Sequence, residues 1–241
     1  MTYECIQAIR ENTQDCEIII VDNGSEPPFK PPFTGFIDCK IIRNDKNEGF
    51  PYAVNQGIAD AKGDVIVLLN NDVVVTPGWA EELLKYLDEF SIVGPTTNYV
   101  AGKQMVQVDT YINKEELNEI AVSLNEENKG EIEEVNWVIG FCMVIKKEVF
   151  QTIGLFDTAL WPCCGEEIDF CFRAREKDFK IGIAYDVYVH HEGSQTLDEM
   201  ENEGLLNYQE LCNRNDKYLA EKWGPDFWQR QDVSIEAWGY L

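Results

Sequence analysis

The strand expected at residues 64–69 constrains the fold most, because it holds the unbroken apolar run Val65-Ile66-Val67-Leu68-Leu69. Strands of this kind occur where helices cover both faces of a parallel sheet, because no position then faces water. Helical patterns flank it at 51–61 and 77–90, and strands are expected at 17–21, 40–43 and 91–94. This alternation predicts an α/β fold built on a mostly parallel sheet flanked by helices.

Hydrophobic spacing predicts the remaining elements. Helices are expected at 3–13, around the weak stripe at 117–124, at 147–153, at 166–177 and in the tail through Trp223. Strands are expected at 135–146, 180–185 and 187–189, and four prolines predict a loop at 26–38. The simplest organisation is one domain over residues 1–195, followed by a helical extension, 196–241, that packs on it.

The charge of the chain excludes some partners. It carries 44 Asp and Glu against 20 Lys and Arg, a formal net charge of −24. A surface this negative repels nucleic acids and anionic membranes. A phosphate-bearing ligand would need local help from backbone N–H groups, a few basic side chains or a divalent cation.

The expected cellular compartment follows from the membrane and targeting signals that the sequence lacks. The longest apolar runs fall far short of the roughly 20 residues of a membrane span, so no transmembrane segment is expected. The amino terminus shows no basic-then-apolar signal, which makes the cytoplasm the default, with a peripheral position at the inner face of the membrane left open. The eight cysteines form no Cys-x-x-Cys pair, which predicts free thiols.

Polar residues follow three of the predicted strands. Asp22 follows the first, residues 70–72 follow the apolar run, and residues 190–191 follow the last. In open α/β sheets, ligands bind in the crevice at the carboxyl ends of strands. Asp and His together offer oxygen and imidazole ligands for a divalent metal. The alternative is that these side chains only form turns, since Asn and Asp are common turn residues.

A second acidic group opens the predicted helix at 166–177. Glu166 and Glu167 fall in its first turn, where the positive end of the helix dipole favours a carboxylate that can act as a base. Acidic residues in a first turn are also ordinary helix caps. Asp169 and Arg173 are four residues apart, which predicts an ion pair within the helix.

Six short motifs occur in order over residues 3–195. They are Ile19-Ile20-Val21-Asp22-Asn23-Gly24-Ser25; Asn47-Glu48-Gly49-Phe50 with Asn55-Gln56-Gly57; Gly63-Asp64 through Leu69-Asn70-Asn71-Asp72; Gly154-Leu155-Phe156-Asp157; Gly165-Glu166-Glu167-Ile168-Asp169; and His190-His191-Glu192-Gly193-Ser194. Each is weak alone, but the series resembles family 2 glycosyltransferases of the GT-A fold. The resemblance implies a mixed, mostly parallel sheet flanked by helices, here with a C-terminal helical arm.

The resemblance also implies a donor site. Asp72 stands at the last position of the family's Asp-x-Asp motif, whose carboxylate binds Mn²⁺ or Mg²⁺ at the diphosphate, and Asn70 replaces the first Asp. A histidine after the last core strand completes the metal shell in relatives. His190 is slightly preferred to His191 for this role because of its offset from the strand. The residues implied in nucleotide-sugar binding are Asp22, Asn23, Asn47, Gly49, Asn55, Asn70, Asn71 and Asp72.

The implied reaction is an inverting transfer from a nucleoside-diphosphate sugar to an acceptor hydroxyl, in cell-surface polysaccharide or glycan synthesis. Glu167 stands where the family carries its base, with Glu166 and Asp169 as alternatives. Trp161 and Gly140 are expected on the side of a glycan or lipid-linked acceptor. The donor sugar, its base, the acceptor and the oligomeric state stay open, a homodimer included.

The sequence departs from the family at its start. Relatives begin with an apolar strand between those ending at Asp22 and Asp72, whereas here Tyr3 already enters a helix, as in an amino-terminally truncated domain. The two neighbouring strands are expected to close up, or another segment or subunit to fill the slot. A donor pocket lacking one wall leaves a second function open, a folded but catalytically impaired binding or interaction module.

Overall fold

A computed structural model describes residues 1–30, 39–100, 102–193, 201, 204 and 206–227. Residues 31–38 of the predicted loop and Ser194 of the last motif lie outside these ranges. The elements, in chain order, are α1 (Thr2–Asn12), β1 (Ile18–Asn23), β2 (Cys39–Asn44), α2 (Phe50–Asp60), β3 (Val65–Leu69), β4 (Val73–Val74), α3 (Trp79–Tyr86), β5 (Ile92–Thr96), α4 (Lys114–Glu127), β6 (Ile132–Glu134), β7 (Cys142–Lys146), α5 (Lys147–Ile153), α6 (Glu166–Arg175), β8 (Ile181–Tyr188), β9 (His190–His191) and α7 (Tyr208–Trp223), with 3₁₀ turns at Gly102–Gln104 and Thr158–Leu160.

Five strands form the central sheet, in the order β3-β7-β5-β8-β6. β5 pairs in parallel with β8, β7 pairs antiparallel with β3 and β5, and β6 pairs antiparallel with β8. Thus β3, β5 and β8 run in one direction, while β7 and β6 run in the other. The predicted mixed, mostly parallel sheet is confirmed.

Apolar cores cover both faces of this sheet. Val144 of β7 packs in a cluster with Leu83 of α3, whereas its neighbour Met143 packs in another with Phe170 of α6. Successive strand residues point to opposite faces, so the two clusters lie on the two sides of the sheet. This explains why the central strands read as continuous apolar runs.

β1 and β2 form a separate parallel pair. Among the described residues no ladder joins β1 to β3, so the expected closing up of these neighbours is wrong for this part of the chain. Their starts are instead linked through Glu17, whose Oε1 accepts from the N–H groups of Lys62 and Gly63 at 2.6 and 3.1 Å. Val67 in the middle of β3 stays 40% exposed.

Two strand predictions are corrected. The strand expected at 135–146 is shorter, because only Cys142–Lys146 forms β7, and residues 135–141 lead to it from β6, an edge strand for which no strand was predicted. The fragments expected at 180–185 and 187–189 belong to one strand, β8. Asp186 is tolerated inside it because its Oδ2 accepts from Tyr86 Oη at 2.6 Å and from Gly130 N at 2.9 Å.

The predicted start of the helix at 77–90 is also wrong. Thr76, the residue before the predicted start and of a type that often caps helices, does not cap this one, since its hydroxyl donates to the carbonyl of Tyr188 in β8. Helix α3 begins at Trp79, and its first turn follows Gly78 in the left-handed region. The Thr76 side chain therefore hydrogen-bonds to a strand of the sheet and not to the first turn of the helix.

Helix α7 packs on α6. Leu219 of α7 and Phe227 beyond it form an apolar cluster with Leu160, Ile168 and Phe172. The described part of the C-terminal segment therefore rests on the helix that carries Glu167, while a domain boundary at residue 195 stays a prediction. Of the helices described, none combines the length and apolar character that crossing a membrane requires.

Candidate active site

The turn after β3 and the short strand β9 bring Asp72 and His191 together. β4 pairs antiparallel with β9, and Val73 stands opposite His191. Asp72 Oδ1 lies 3.4 Å from His191 Nε2, and both side chains are buried. The contact misses hydrogen-bond geometry, so each of the two atoms lacks a hydrogen-bond partner. They face each other as two open ligand positions.

The residues after β5 hold His191 in place. Its Nδ1 lies 2.8 Å from the carbonyl of Tyr99, which only accepts, so Nδ1 is the donor and Nε2 is the ring nitrogen on the side of Asp72. The Asn98 side chain bonds to both backbone groups of His191. Its Oδ1 accepts from His191 N at 2.9 Å, and its Nδ2 donates to the His191 carbonyl at 3.0 Å. The Phe141 ring stacks on the imidazole. Such partners orient a metal-binding histidine.

His190 lies in a different environment, so the geometry does not support its preference over His191. Its Nε2 lies 3.2 Å from Glu192 Oε1, and its ring meets the edge of Tyr111. Side chains alternate along a strand, which sends the two histidines of β9 to opposite sides. The pairing of Val73 with His191, not the offset from the preceding strand, decides which imidazole reaches Asp72.

Asp72 and His191 suit a divalent cation. A buried polar atom without a partner costs about 1–3 kcal/mol, and here a carboxylate oxygen and an imidazole nitrogen share that condition. Within the described ranges no group of three or more His, Cys, Asp or Glu side chains could enclose a metal. The protein would therefore supply two ligands, with the rest from a bound ligand's oxygens and water, as is common for Mg²⁺ at substrate phosphates.

Glu166 and Glu167 are buried in the first turn of α6. Burial raises the pKa of Glu166 well above its usual value, and the charge of Glu167 adds to the effect. Burial also raises the pKa of Glu167 to about 7, although backbone hydrogen bonds from Glu167 and Gly165 oppose the rise. Each side chain keeps an Oε2 atom without a hydrogen-bond partner. A carboxyl group that titrates near neutral pH is suited to general-base catalysis.

Residues 140–141 connect this acidic turn to the Asp72–His191 pair. A Cβ placed on Gly140 would lie 3.9 Å from Glu167 Cβ, and Phe50 Cζ is equally close at 3.8 Å. The ring of the next residue, Phe141, has its centroid 5.2 Å from that of His191. The candidate base and the candidate metal ligands thus flank one dipeptide.

Asp169 is fully buried and well bonded. It lies 2.9 Å from Arg173 Nε, 2.8 Å from Trp223 Nε1 and 2.9 Å from Lys222 Nζ. The predicted ion pair with Arg173 is present. Because both oxygens have donors, Asp169 is the weakest of the three candidates for the base, and its bonds tie α7 to α6.

Asp22 is buried at the end of β1. Its carboxylate accepts from the N–H groups of Ser25 and Phe29 at 3.0 and 2.9 Å and lies 2.7 Å from Arg43 Nη1. Burial would raise the pKa of Asp22, but hydrogen bonds from Ser25, Phe29 and Arg43 lower it overall. These bonds shape the loop after β1, so a nucleoside contact at Asp22 would have to use the lone pairs that remain.

Other predicted donor-site residues also bond within the protein. Asn23 Nδ2 donates to Asn47 Oδ1 at 3.0 Å, and Asn23 Oδ1 accepts from Glu48 N at 3.0 Å. Asn55 exchanges two hydrogen bonds with the backbone of Phe156, at 2.9 and 3.0 Å. The structure therefore gives these asparagines a role in fixing loops, and direct contact with a nucleotide stays a prediction.

Asn70 and Asn71 tie the turn before Asp72 to helix α1. The carbonyl of Asn70 accepts from Cys5 Sγ at 3.6 Å, and Asn71 Nδ2 donates to Thr2 Oγ1 at 2.9 Å. These contacts position the carboxylate that follows.

Trp161 is 46% exposed and packs on the start of α2. A Cβ on Gly49 would come within 2.5 Å of Trp161 Cδ1, and Gly49 has a φ of +89°. Both the close contact and the positive φ therefore require glycine at this position. Phe50 N donates to the carbonyl of Pro162 at 2.6 Å. The exposed indole is available to a sugar ring, which keeps Trp161 a predicted acceptor contact.

Sequence reasoning missed Asn98 and Tyr99. Both follow β5, whose carboxyl end lies at the same edge of the sheet as that of the parallel strand β3. The signal that selected Asp72, a polar residue after a buried strand, was therefore present. Phe141 gave no such signal, because an aromatic residue within an apolar run reads as core.

Comparison with known proteins identifies the family to which this sequence is similar. The chain matches the family model described as Glycosyl transferase family 2 over residues 1–154. It is 24% identical over 213 residues to the low-salt glycan biosynthesis hexosyltransferase Agl10 of Haloferax volcanii, covering 85% of this chain and 66% of that protein. With the pre-mycofactocin glycosyltransferase of Mycobacterium tuberculosis the identity is 24% over 181 residues, 73% of this chain and 37% of that protein. The chain thus spans between about a third and two thirds of these relatives.

Two solved structures share the fold. GalNAc-T7, crystallised with UDP, GalNAc and Mn²⁺, superimposes with a TM-score of 0.58 at 17% identity, covering 97% of this chain and 52% of that one. The mannosyltransferase PcManGT from Pyrobaculum calidifontis, in complex with GDP-Man and Mn²⁺, gives a TM-score of 0.55 at 14% identity, covering 80% and 53%. These likenesses confirm the predicted GT-A type fold.

Proposed function

Since this chain belongs to glycosyl transferase family 2, we propose that it transfers a sugar from a nucleoside-diphosphate sugar to an acceptor hydroxyl, with inversion at the sugar carbon. The observation that carries the proposal is the set of buried atoms without hydrogen-bond partners, Asp72 Oδ1, His191 Nε2 and Glu167 Oε2. They belong to side chains that flank residues 140–141. Mn²⁺ in the structures with related folds supports a divalent ion here.

The charge of the chain supports metal assistance. A diphosphate would approach a protein with a net charge of −24, so its charge needs local neutralisation. Asp72 and His191 would hold Mn²⁺ or Mg²⁺, which would act as a Lewis acid on the departing diphosphate. Tyr99 and Asn98 keep His191 oriented for this task, through its Nδ1 and its backbone.

Glu167 is the proposed base. In its ionised form its free Oε2 can accept the proton of the acceptor hydroxyl as that oxygen attacks the sugar. Trp161 and Gly140 would then lie on the side of the acceptor. A glycan acceptor fits the name of the Haloferax volcanii hexosyltransferase, which refers to glycan biosynthesis. A lipid-linked acceptor and a role in cell-surface polysaccharide or glycan synthesis stay predictions. The cytoplasmic location and the homodimer stay predictions.

The proposal predicts a pH dependence of transfer. Since the pKa of Glu167 is raised to about 7, its base form is scarce at acid pH, and the rate is expected to rise with pH through neutrality and then level off. Glu166 and the Cys171 thiol are the titratable groups that interact with Glu167 electrostatically. The rising part of the pH profile, its acid limb, therefore reflects the ionisation of the Glu166–Glu167 pair. The measurement is the transfer rate at saturating donor and metal. A rate independent of pH across this range would contradict a glutamate base.

A second prediction separates the two histidines. His191→Ala is expected to weaken Mn²⁺ binding by about tenfold or more, because the imidazole that faces Asp72 is lost. His190→Ala is the matched control and should stay within about twofold, since His190 packs against Tyr111 instead. Electron paramagnetic resonance of free Mn²⁺ measures both. A larger loss in the His190 variant would make His190 the metal ligand.

The function itself is tested by a panel of nucleotide sugars. The protein is incubated with each donor and Mn²⁺ or Mg²⁺, and release of nucleoside diphosphate is followed with and without EDTA. Metal-dependent release from one donor supports the proposal. The alternative, a catalytically impaired binding module, predicts metal-dependent binding of a nucleoside diphosphate in calorimetry with no release from any donor.

A further inference from the structure

Helix α7 contacts the loop that leads into α6, and one of its contacts is a buried amide. Asn215 is 2% exposed, and its Nδ2 donates to the carbonyl of Cys163 at 2.7 Å and to that of Cys164 at 2.8 Å. Its Oδ1 accepts from Arg214 Nη2 at 2.8 Å. Both amide hydrogens are therefore used on two consecutive peptide groups directly before α6. Two such bonds from one side chain fix the orientation of both peptide planes.

The loop held by Asn215 carries backbone strain. Cys164 has a φ of +79°, in the left-handed region that costs a non-glycine residue about 1–3 kcal/mol. Conformations of this kind persist only where the surroundings over-determine them. The two bonds from Asn215 hold the peptide groups before and after Cys164, and so provide that constraint.

Later turns of α7 continue the contact with α6. Gly165, the residue before the helix, lies so close to Leu219 that a Cβ there would be 2.9 Å from Leu219 Cδ1. Lys222 of the last turn lies 2.9 Å from Asp169 Oδ1. Glu167 stands between Gly165 and Asp169, so α7 holds the chain on both sides of it.

We propose that Asn215 is a positioning residue for the base, which acts by holding the carbonyls of Cys163 and Cys164 so that the first turn of α6 presents Glu167 in one place. This inference rests on the proposed function. Asn215 lies outside all six motifs, on the C-terminal helix. It acts through the loop, so its loss should affect transfer more than donor binding.

The test is Asn215→Leu, a neutral change of similar shape that removes both donors. Transfer is expected to fall by about tenfold or more, because small displacements of a reacting group have large effects on rate. Mn²⁺-dependent binding of nucleoside diphosphate should stay within about twofold, since Asp72 and His191 are held by other elements. The acid limb of the pH profile should move to lower pH, because a loosened loop admits water and weakens the burial that raises the pKa of Glu167.

Two further variants make the result specific. Asn213→Leu makes the same change at an exposed position of α7, and no effect is expected. Cys164→Gly in the Asn215→Leu background lets glycine adopt the left-handed conformation without steric cost, so transfer should partly recover. A purely structural role for Asn215 predicts instead a lower Tm and lower activity, with no shift of the acid limb and no recovery, and this outcome would overturn the proposal.

One readout does not need activity. Alkylation of Cys163 and Cys164 by iodoacetamide, followed by peptide mass spectrometry, should become severalfold faster in folded Asn215→Leu, because the loop is released. If the parent protein transfers no sugar, the proposed function fails separately, and unchanged alkylation would then overturn the positioning role as well. Should Asn215→Leu fail to bind metal and nucleotide, the same comparison is made with Asn215→Ser, where unchanged alkylation would likewise overturn the positioning role.

Discussion

Glu167→Gln is expected to lower sugar transfer by about 100-fold or more while nucleoside-diphosphate binding with Mn²⁺ stays nearly intact. General-base assistance contributes on the order of 10² to 10⁴ in rate, and glutamine cannot accept the proton. The change keeps the size of the side chain, and Glu167 belongs to α6, whereas the possible metal ligands lie on the β3–β4 turn and β9. Transfer and binding are measured with the donor selected by the panel.

Controls distinguish Glu167 from its neighbours. Glu176→Gln makes the same change at an exposed position just beyond α6 and should leave transfer unchanged. Glu166→Gln tests the alternative base, since Glu166 is also buried with a free Oε2. A normal rate in Glu167→Gln together with a large loss in Glu166→Gln would transfer the role to Glu166.

The same variant carries a stability signature. Burial raises the pKa of Glu167 from 4.5 to about 7, so the folded state binds its proton more tightly than the unfolded state. The corresponding stabilisation is full below pH 4.5 and is lost as the pH rises through about 7, above which a buried charge remains. Glutamine avoids that charge, so Glu167→Gln should raise Tm at alkaline pH and change it little at acid pH. A Tm difference of opposite sign would show that the carboxylate is well solvated.

Sequence patterns located four of the five strands of the central sheet, all but β6, because burial repeats along the chain. The apolar run before Asp72 predicted β3, and residues 147–153 matched α5. The strand predicted at 135–146 was too long, since only residues 142–146 belong to β7, because an apolar run does not record where the chain enters the sheet. That information lies in which strands pair, and β6 and β7 pair with different neighbours.

Local patterns marked only part of the candidate site. Asp72 and Glu167 stand at positions marked by a strand end and a helix start, so local patterns could select them. The choice between His190 and His191 depended on the register of two two-residue strands, which no local pattern encodes. Asn215 contacts Cys163 and Cys164 from 51 or more residues away along the chain. Contacts of this kind become visible only when the helices have packed.

Asp72→Asn is expected to weaken Mn²⁺-dependent binding of nucleoside diphosphate by more than about 100-fold. Substitutions that only orient a ligand cost about 10- to 100-fold in metal affinity, and this one replaces the charged ligand itself. In a protein with a net charge of −24, the anionic nucleotide has little other attraction to the site. Stability should not fall, since Asp72 Oδ1 makes no hydrogen bond that the amide would lose. Calorimetry and a thermal melt measure the two effects.

The matched control is Asp64→Asn, which removes one negative charge at the exposed residue before β3, as Asp72→Asn does after it. It changes the net charge equally, so general electrostatic effects on nucleotide binding appear in both variants and cancel in the comparison. A specific loss in Asp72→Asn locates the cation at the end of β3. Equal binding in the two variants would mean that the diphosphate is neutralised elsewhere, and the pairing of Asp72 with His191 would then be a structural contact only.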